Sequence, residues 1–172
     1  MVLISKDQNI IERRLIQRRR ATDANIGRNV RIGEDVVIGN NVVICDSAVI
    51  GKNVVIGDNV VIGCQTNIGE DTEISRSVRI GNGVRIGKDC IVDKHANIGD
   101  GVEIRDHVQI GKNSRIEQDS EVGYNVCIGK RAFIGHGAEI ADHLVVIDDE
   151  AVPDYQVICI YDGARWPNPQ FS

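Results

Sequence analysis

Four side chains in this chain are suited to moving a proton near neutral pH: His95, His107, His136 and His143. Their spacing separates them, because an aliphatic residue recurs every six positions and each histidine can be placed against that beat. His95, His107 and His143 each stand three residues before a member of the aliphatic series, at Ile98, Ile110 and Val146. His136 alone stands four before, ahead of Ile140 in the phrase IGHGAEIAD. Metal chemistry is poorly served by the other three. His107 and His143 fall at equivalent places two repeats of eighteen apart, which stacked strands would set roughly 9.6 Å from each other, too far for one ion with Zn–N bonds near 2.0 Å. The five cysteines, Cys45, Cys64, Cys90, Cys127 and Cys159, form no CxxC pair and leave an odd one over. That argues against a disulfide framework or a zinc knuckle and for a reducing, cytoplasmic setting.

The element that must position these residues is the repeat itself. Stepping by six from Ile26 to Val146 meets an Ile or Val at all 21 positions, and a second small or apolar residue follows each by four, as at Val30, Val36, Val42 and Ala48. A helix cannot use a period of six, since successive steps at 100° per residue leave any one stripe. A short strand can, because Val30 and Ile32 lie two apart and so face the same side. Gly follows the Ile at most steps, as at Gly27, Gly33 and Gly39, where the chain must turn. Strand, turn, strand, turn with one inward face predicts a solenoid whose core is narrow, in keeping with an aromatic content of 3%.

Three segments follow: 1–22, 23–150 and 151–172. The first carries six Lys/Arg against Asp7 and Glu12, a basic head of +4 on a body of −9. Ser5 and Gln8 have capping-box spacing, and Ile11 and Leu15 lie one helical turn apart, so an α-helix covering the lower end is expected, its arginines forming a solvated face. In the last segment Pro153 breaks the period and Val157–Tyr161 reads as a capping strand, with Trp166 and Phe171 placed to cover the final coil. No apolar run is long enough to span a membrane and no signal-peptide core is present. Every glycine answers to the repeat, so no phosphate-binding glycine loop is indicated, and nucleic acid is not an expected partner.

Residues eighteen apart should stack. One such column reads Glu34, Lys52, Glu70, Lys88, Asp106, Tyr124, Asp142, an alternation suited to ion pairing between coils. Val37, Val43, Val49, Val55 and Val61 occupy outward mid-strand places, which suggests a neighbouring chain, the N-terminal helix, or both.

With these phrases in view, the chain resembles the hexapeptide-repeat proteins, whose pattern is [LIV]-[GAED]-x-x-[STAV]-x. The resemblance covers about 125 of 172 residues. It implies an all-β, left-handed parallel β-helix of about seven triangular coils, some 34 Å tall at about 4.8 Å per coil, with an N-terminal helix and a C-terminal capping strand. It also implies a homotrimer. Acyltransferases of this kind use a histidine as general base, and in their H-[DE]-C-x-[IV]-G pattern that histidine precedes the inward aliphatic by four, which makes His136 the candidate catalytic residue. Gly137 and Ala138 replace the acidic residue and the cysteine. The implied donor is acetyl-CoA, another acyl-CoA or an acyl-carrier thioester, and the implied acceptor a hydroxyl or amine of a sugar or other small molecule.

Two other readings stand beside this one. No insertion interrupts the repeat between Ile26 and Val146 to wall off a substrate, which favours a structural or regulatory trimer without catalysis. The γ-class carbonic anhydrases resemble the same segment through IGHxxxLHG, but Ala141 occupies the place of the second histidine, removing one of three ligands, so no metal is expected. The tail AVPDYQVICIYDGARW resembles the closing phrase V-P-x-x-x-V-V-x-G-x-P-A-K, with Asp162, Gly163 and Ala164 where G-x-P-A would stand.

Overall fold

The computed structural model describes residues 24–161 and 164–166. The expected N-terminal helix, and Asp162, Gly163 and Phe171, lie outside them. The six-residue beat becomes two-residue strands, the first at Asn25–Ile26 and the twenty-second at Ala151–Val152, separated by four-residue turns. They stack as three parallel sheets, each strand pairing with the one eighteen residues on, as in Val43↔Val61 with Ile44↔Ile62. This is a three-faced parallel β-helix of seven full coils, with the start of an eighth. Counting from Asn25, each coil takes eighteen residues; its first strand lies on the first face, its second on the second, its third on the third.

Each strand buries its second residue and exposes its first. Ile44, Ile50, Ile56, Ile62, Ile68 and Ile74 are almost fully buried, and the turn residues Val54, Val60, Val78 and Val84 close the corners from inside. The period runs two phrases beyond Val146, because Val152 and Ile158 take the same buried places, and Pro153 follows the last strand of its sheet, where no further described strand waits for the N–H that Gly135 and Glu117 donate from the same place. The strand expected at Val157–Tyr161 is present; it pairs in parallel with Glu139–Ile140 and antiparallel with Ala164–Trp166, so the sheet's last edge is covered by the chain folding back.

The turns divide labour in a way the glycine pattern did not show. Where a glycine follows the Ile it serves close approach, since a Cβ on Gly33 would meet Lys52 N at 2.6 Å and the Gly51 carbonyl at 2.8 Å on the coil above, whereas Cys45, Ser75, Arg105, Glu117 and Ala141 hold the same place on other strands. Positive φ falls two residues later and is borne mostly by other residues: Asn29, Asp35, Asn41 and, at 61–62°, His95, His107 and His143. Three of the four histidines are therefore ordinary turn residues.

A second regularity binds the coils. Asp46, Asp58, Asp100, Asp106, Asp142, Asp148 and Asp154 each accept, through Oδ1, the N–H of the residue eighteen before, at 2.7–2.9 Å. The alternating column behaves accordingly. Glu70 pairs with Lys52 at 3.7 Å and Lys88 at 3.4 Å, whereas Asp106 and Asp142 spend an oxygen on the backbone of the coil below. Of the five outward valines, Val37, Val49, Val55 and Val61 are exposed and Val43 is half-buried.

All five cysteines are free thiols. Cys90 is buried in the core wall, its Sγ donating to the Arg105 carbonyl at 3.2 Å, and burial pushes its thiol up to about 11. The stability gained by keeping that thiol neutral is full below the ordinary value of 9.0 and is lost as pH rises through about 11. Iodoacetamide at mildly alkaline pH is expected to label the half-buried Cys45, Cys64 and Cys127 and to spare Cys90 until the chain unfolds; peptide mass spectrometry reads the difference.

Candidate functional site

His136 sits at the corner where the first face turns to the second, on the seventh coil. Its phase, one residue earlier than the other histidines, has a structural consequence: Gly137 takes the positive φ of 61° in its turn, and His136 keeps ordinary backbone geometry. The histidine is gripped from both sides along the stack. Its N–H donates to Asp154 Oδ1 at 2.9 Å on the coil above, and its Nδ1 lies 3.0 Å from the Gln118 carbonyl on the coil below. A carbonyl can only accept, so Nδ1 carries the proton of the neutral ring and Nε2 is left with its lone pair. That tautomer is the one a general base needs.

Tyr155 completes the setting. Its ring meets the imidazole edge-on, with centroids 4.9 Å apart and planes at 82°, and Gly137 is what lets it in, since a Cβ there would fall 2.8 Å from the ring. Ser120 stiffens the corner from within, its buried hydroxyl donating to Gly135 O at 2.7 Å. Asp154, Tyr155 and Gln118 were not singled out in the sequence. The signal available was their spacing, for Gln118, His136 and Asp154 are eighteen residues apart.

The other histidines go elsewhere. His107 faces Asp89 at 3.8 Å on the coil below. His95 lines a cavity of about 400 Å³ with Asn59, Ser77, Arg79, Ala96 and Asn97, at the corner where the third face turns to the first. That cavity lies at coils two to five, below the coil of His136, and the phase of His95 in the repeat gives no sign of it. Among the described residues no three His, Cys, Asp or Glu side chains converge as a metal site, and Ala141 packs against the core. No described helix is long and apolar enough to cross a membrane.

The family described as bacterial transferase hexapeptide (six repeats) matches residues 29–64 and 107–142, two stretches of the shaft already seen to share one register. Over those stretches the chain is similar to that family, and its fold is a β-solenoid of six-residue repeats. No curated protein matches its sequence. Among solved structures it is similar to the UDP-N-acetylglucosamine acyltransferase of Francisella novicida, at 20% identity and a TM-score of 0.54, with 84% of this chain covered. It spans 66% of that enzyme, just under two thirds of its length. It is also similar to AntD, an N-acyltransferase from Bacillus cereus solved with dTDP and coenzyme A, at 14% identity and a TM-score of 0.54, covering 96% of this chain and 90% of that one. At these identities the likeness is one of fold.

Proposed function

We propose that this hexapeptide-repeat protein is an acyltransferase that moves an acyl group from a CoA or acyl-carrier thioester to a hydroxyl or amine of a small acceptor, with His136 as the base. The observation that carries the reading is the Nδ1–Gln118 contact at 3.0 Å, which leaves Nε2 free to take a proton. In the reaction Nε2 removes the acceptor's proton as its oxygen or nitrogen bonds to the thioester carbonyl carbon. The tetrahedral adduct then breaks its C–S bond, and the departing sulfur takes the proton back from Nε2. The positive charge that forms on the ring is shared with the Gln118 carbonyl. No metal is called for in these steps.

The acyl donor is expected to lie in a groove between copies of the chain, because His136 stands on a convex corner and one shaft offers it little wall. The outward valines of the first three coils, spread over all three faces, support association, and a homotrimer is the assembly we assign. The free thiols are in keeping with a cytoplasmic setting. The fold shared with two acyltransferases, one of them solved with coenzyme A, adds support.

The test is acceptor-dependent release of free thiol from acetyl-CoA, longer acyl-CoAs and an acylated carrier protein, across a panel of sugar nucleotides and amino sugars. Turnover with any pair supports the assignment. Its absence from every pair, in a chain shown by light scattering to be trimeric, would favour the second reading: a structural or regulatory trimer. That reading rests on a specific observation, the unbroken run of two-residue strands and four-residue turns.

A further inference from the structure

Four cations of the shaft stack in one place. At the corner between the third and first faces, Arg76, Lys94, Lys112 and Lys130 occupy the same turn position on four successive coils, and none of these side chains has an ion pair or hydrogen bond among the described residues. Like charges one strand apart repel, and the opposite solution is used at the next corner, where Lys52 and Lys88 flank Glu70. Several cations elsewhere are matched: Arg131 makes two bonds of 2.6 Å to Asp149, and Arg85 and Arg115 pair with Glu103 and Glu117. This run of four cations, with Asp58 one coil below it and Asp148 one coil above, thus stands out in a chain whose formal charge is −5.

The cavity of about 400 Å³ opens beside this column, at coils two to five. Its polar lining is Asn59, Ser77, Arg79, His95 and Asn97, with no carboxylate. Arg79 stacks between Val61 and Asn97, and the outward series of the first face, from Asn25 through Arg115 to Ala151, contains no acid at all. The donors are left over. Asn59 accepts from Asn41 through its amide oxygen at 3.2 Å, which turns its NH₂ away from that bond, and the side chains of Ser77, Arg79, His95 and Asn97 have no partner among the described residues. A guanidinium, two amides, a hydroxyl and an imidazole without a competing carboxylate form a receptor for an oxyanion.

We infer that this cavity binds the phosphate group of a small molecule, with Arg79 as its two-pronged anchor, Asn59, Ser77, His95 and Asn97 as further donors, and the Arg76–Lys130 column as the field that draws the anion in. Arg is the residue for this task because its planar fork meets two phosphate oxygens at once. The site stands apart from His136 and does not depend on the acyl-transfer reading.

The experiment is calorimetric titration of the full chain with inorganic phosphate, pyrophosphate and a nucleoside diphosphate, at low and at moderate salt. Saturable binding is expected, and Arg79→Gln should weaken it on the order of 10- to 100-fold, the worth of a charged hydrogen-bond pair. Arg31→Gln, on the second face, should leave it unchanged. Lys94→Gln with Lys112→Gln should lower the salt dependence. The His95 ring resonances should move with added pyrophosphate and those of His136 should not, and His136→Ala should bind as the parent does. A nucleoside diphosphate that binds more tightly than pyrophosphate assigns the site to a nucleotide; equal affinity assigns it to a phosphate or pyrophosphate group alone. No saturation at millimolar ligand, or equal losses in Arg79→Gln and Arg31→Gln, would overturn the inference.

Discussion

His136→Ala is expected to lower thioester-dependent acyl transfer by roughly 10²- to 10⁴-fold, the usual worth of a positioned general base, with the thermal midpoint close to the parent's. The two halves of that expectation rest on different bonds. Rate depends on Nε2, which alanine removes. Stability depends mostly on the main-chain N–H, which still donates to Asp154 Oδ1, while the Gln118 carbonyl keeps the Gly137 N–H at 3.0 Å after the substitution. The lost edge-on contact with Tyr155 is worth about 0.5–1.5 kcal/mol at most, less at an exposed ring. His136→Gln sharpens the test. Its NH₂ can keep the bond to the Gln118 carbonyl, yet it has no basic nitrogen, so it should be as slow as alanine. Initial rates of thiol release with each variant decide the matter, and a His136→Ala rate equal to the parent's would remove this histidine from the chemistry.

How much of this was legible beforehand follows from what a period can encode. A strict beat of six names the inward residue of every strand, and Ile26, Ile44 and Ile62 fall on one face because three beats return the chain to the same side. The same beat told His136 from His95, His107 and His143, and the left-handed backbone of those three explains the difference in phase. What a period does not encode is the direction in which a side chain turns. Asp106 and Asp142 looked like members of an ion-pair column, but a short carboxylate over a stacked turn reaches the backbone N–H below it before it reaches any cation, as Lys88 N and Tyr124 N show. His95 was set aside by phase. Its interest comes from Arg79 and Asn97, which flank it only after the chain has turned the corner. The register continued past Pro153 because a proline interrupts a ladder only where its missing N–H is wanted, and Val152 closes the last strand of its sheet, with no described strand beyond it to take that bond.

Gly63→Val should cost the fold more than any surface change, about 3–5 kcal/mol when overpacking and two lost hydrogen bonds are taken together, or roughly 10 °C in thermal midpoint. A Cβ on Gly63 points at the coil above, where it meets the Gly81 carbonyl and, at 2.6 Å, Asn82 N. These are backbone atoms and cannot rotate aside. Nor can the Gly81 carbonyl shift freely, because it accepts the hydroxyl of the fully buried Thr66 at 2.8 Å. Moving coil four away would stretch Gly63 N to Ile80 O, now 2.9 Å, and leave the Thr66 hydroxyl unsatisfied in an apolar core. Gly83 provides the contrast. It has φ of +66° and nothing within 4 Å of a Cβ, so Gly83→Ala should lose only the left-handed penalty of about 1–2 kcal/mol, and Gly83→Asn less, as Asn29 already holds that place on the first coil. Because coils touch only their neighbours, the damage from Gly63→Val should stay local, with amide exchange rising first at Gly63 and Cys45 and last near His136. Equal midpoints for Gly63→Val and Gly83→Ala would mean that the coils can part at this corner without cost, as they do to seat Cys45 in the same place one coil below, and that Gly63 serves the turn and not the stacking.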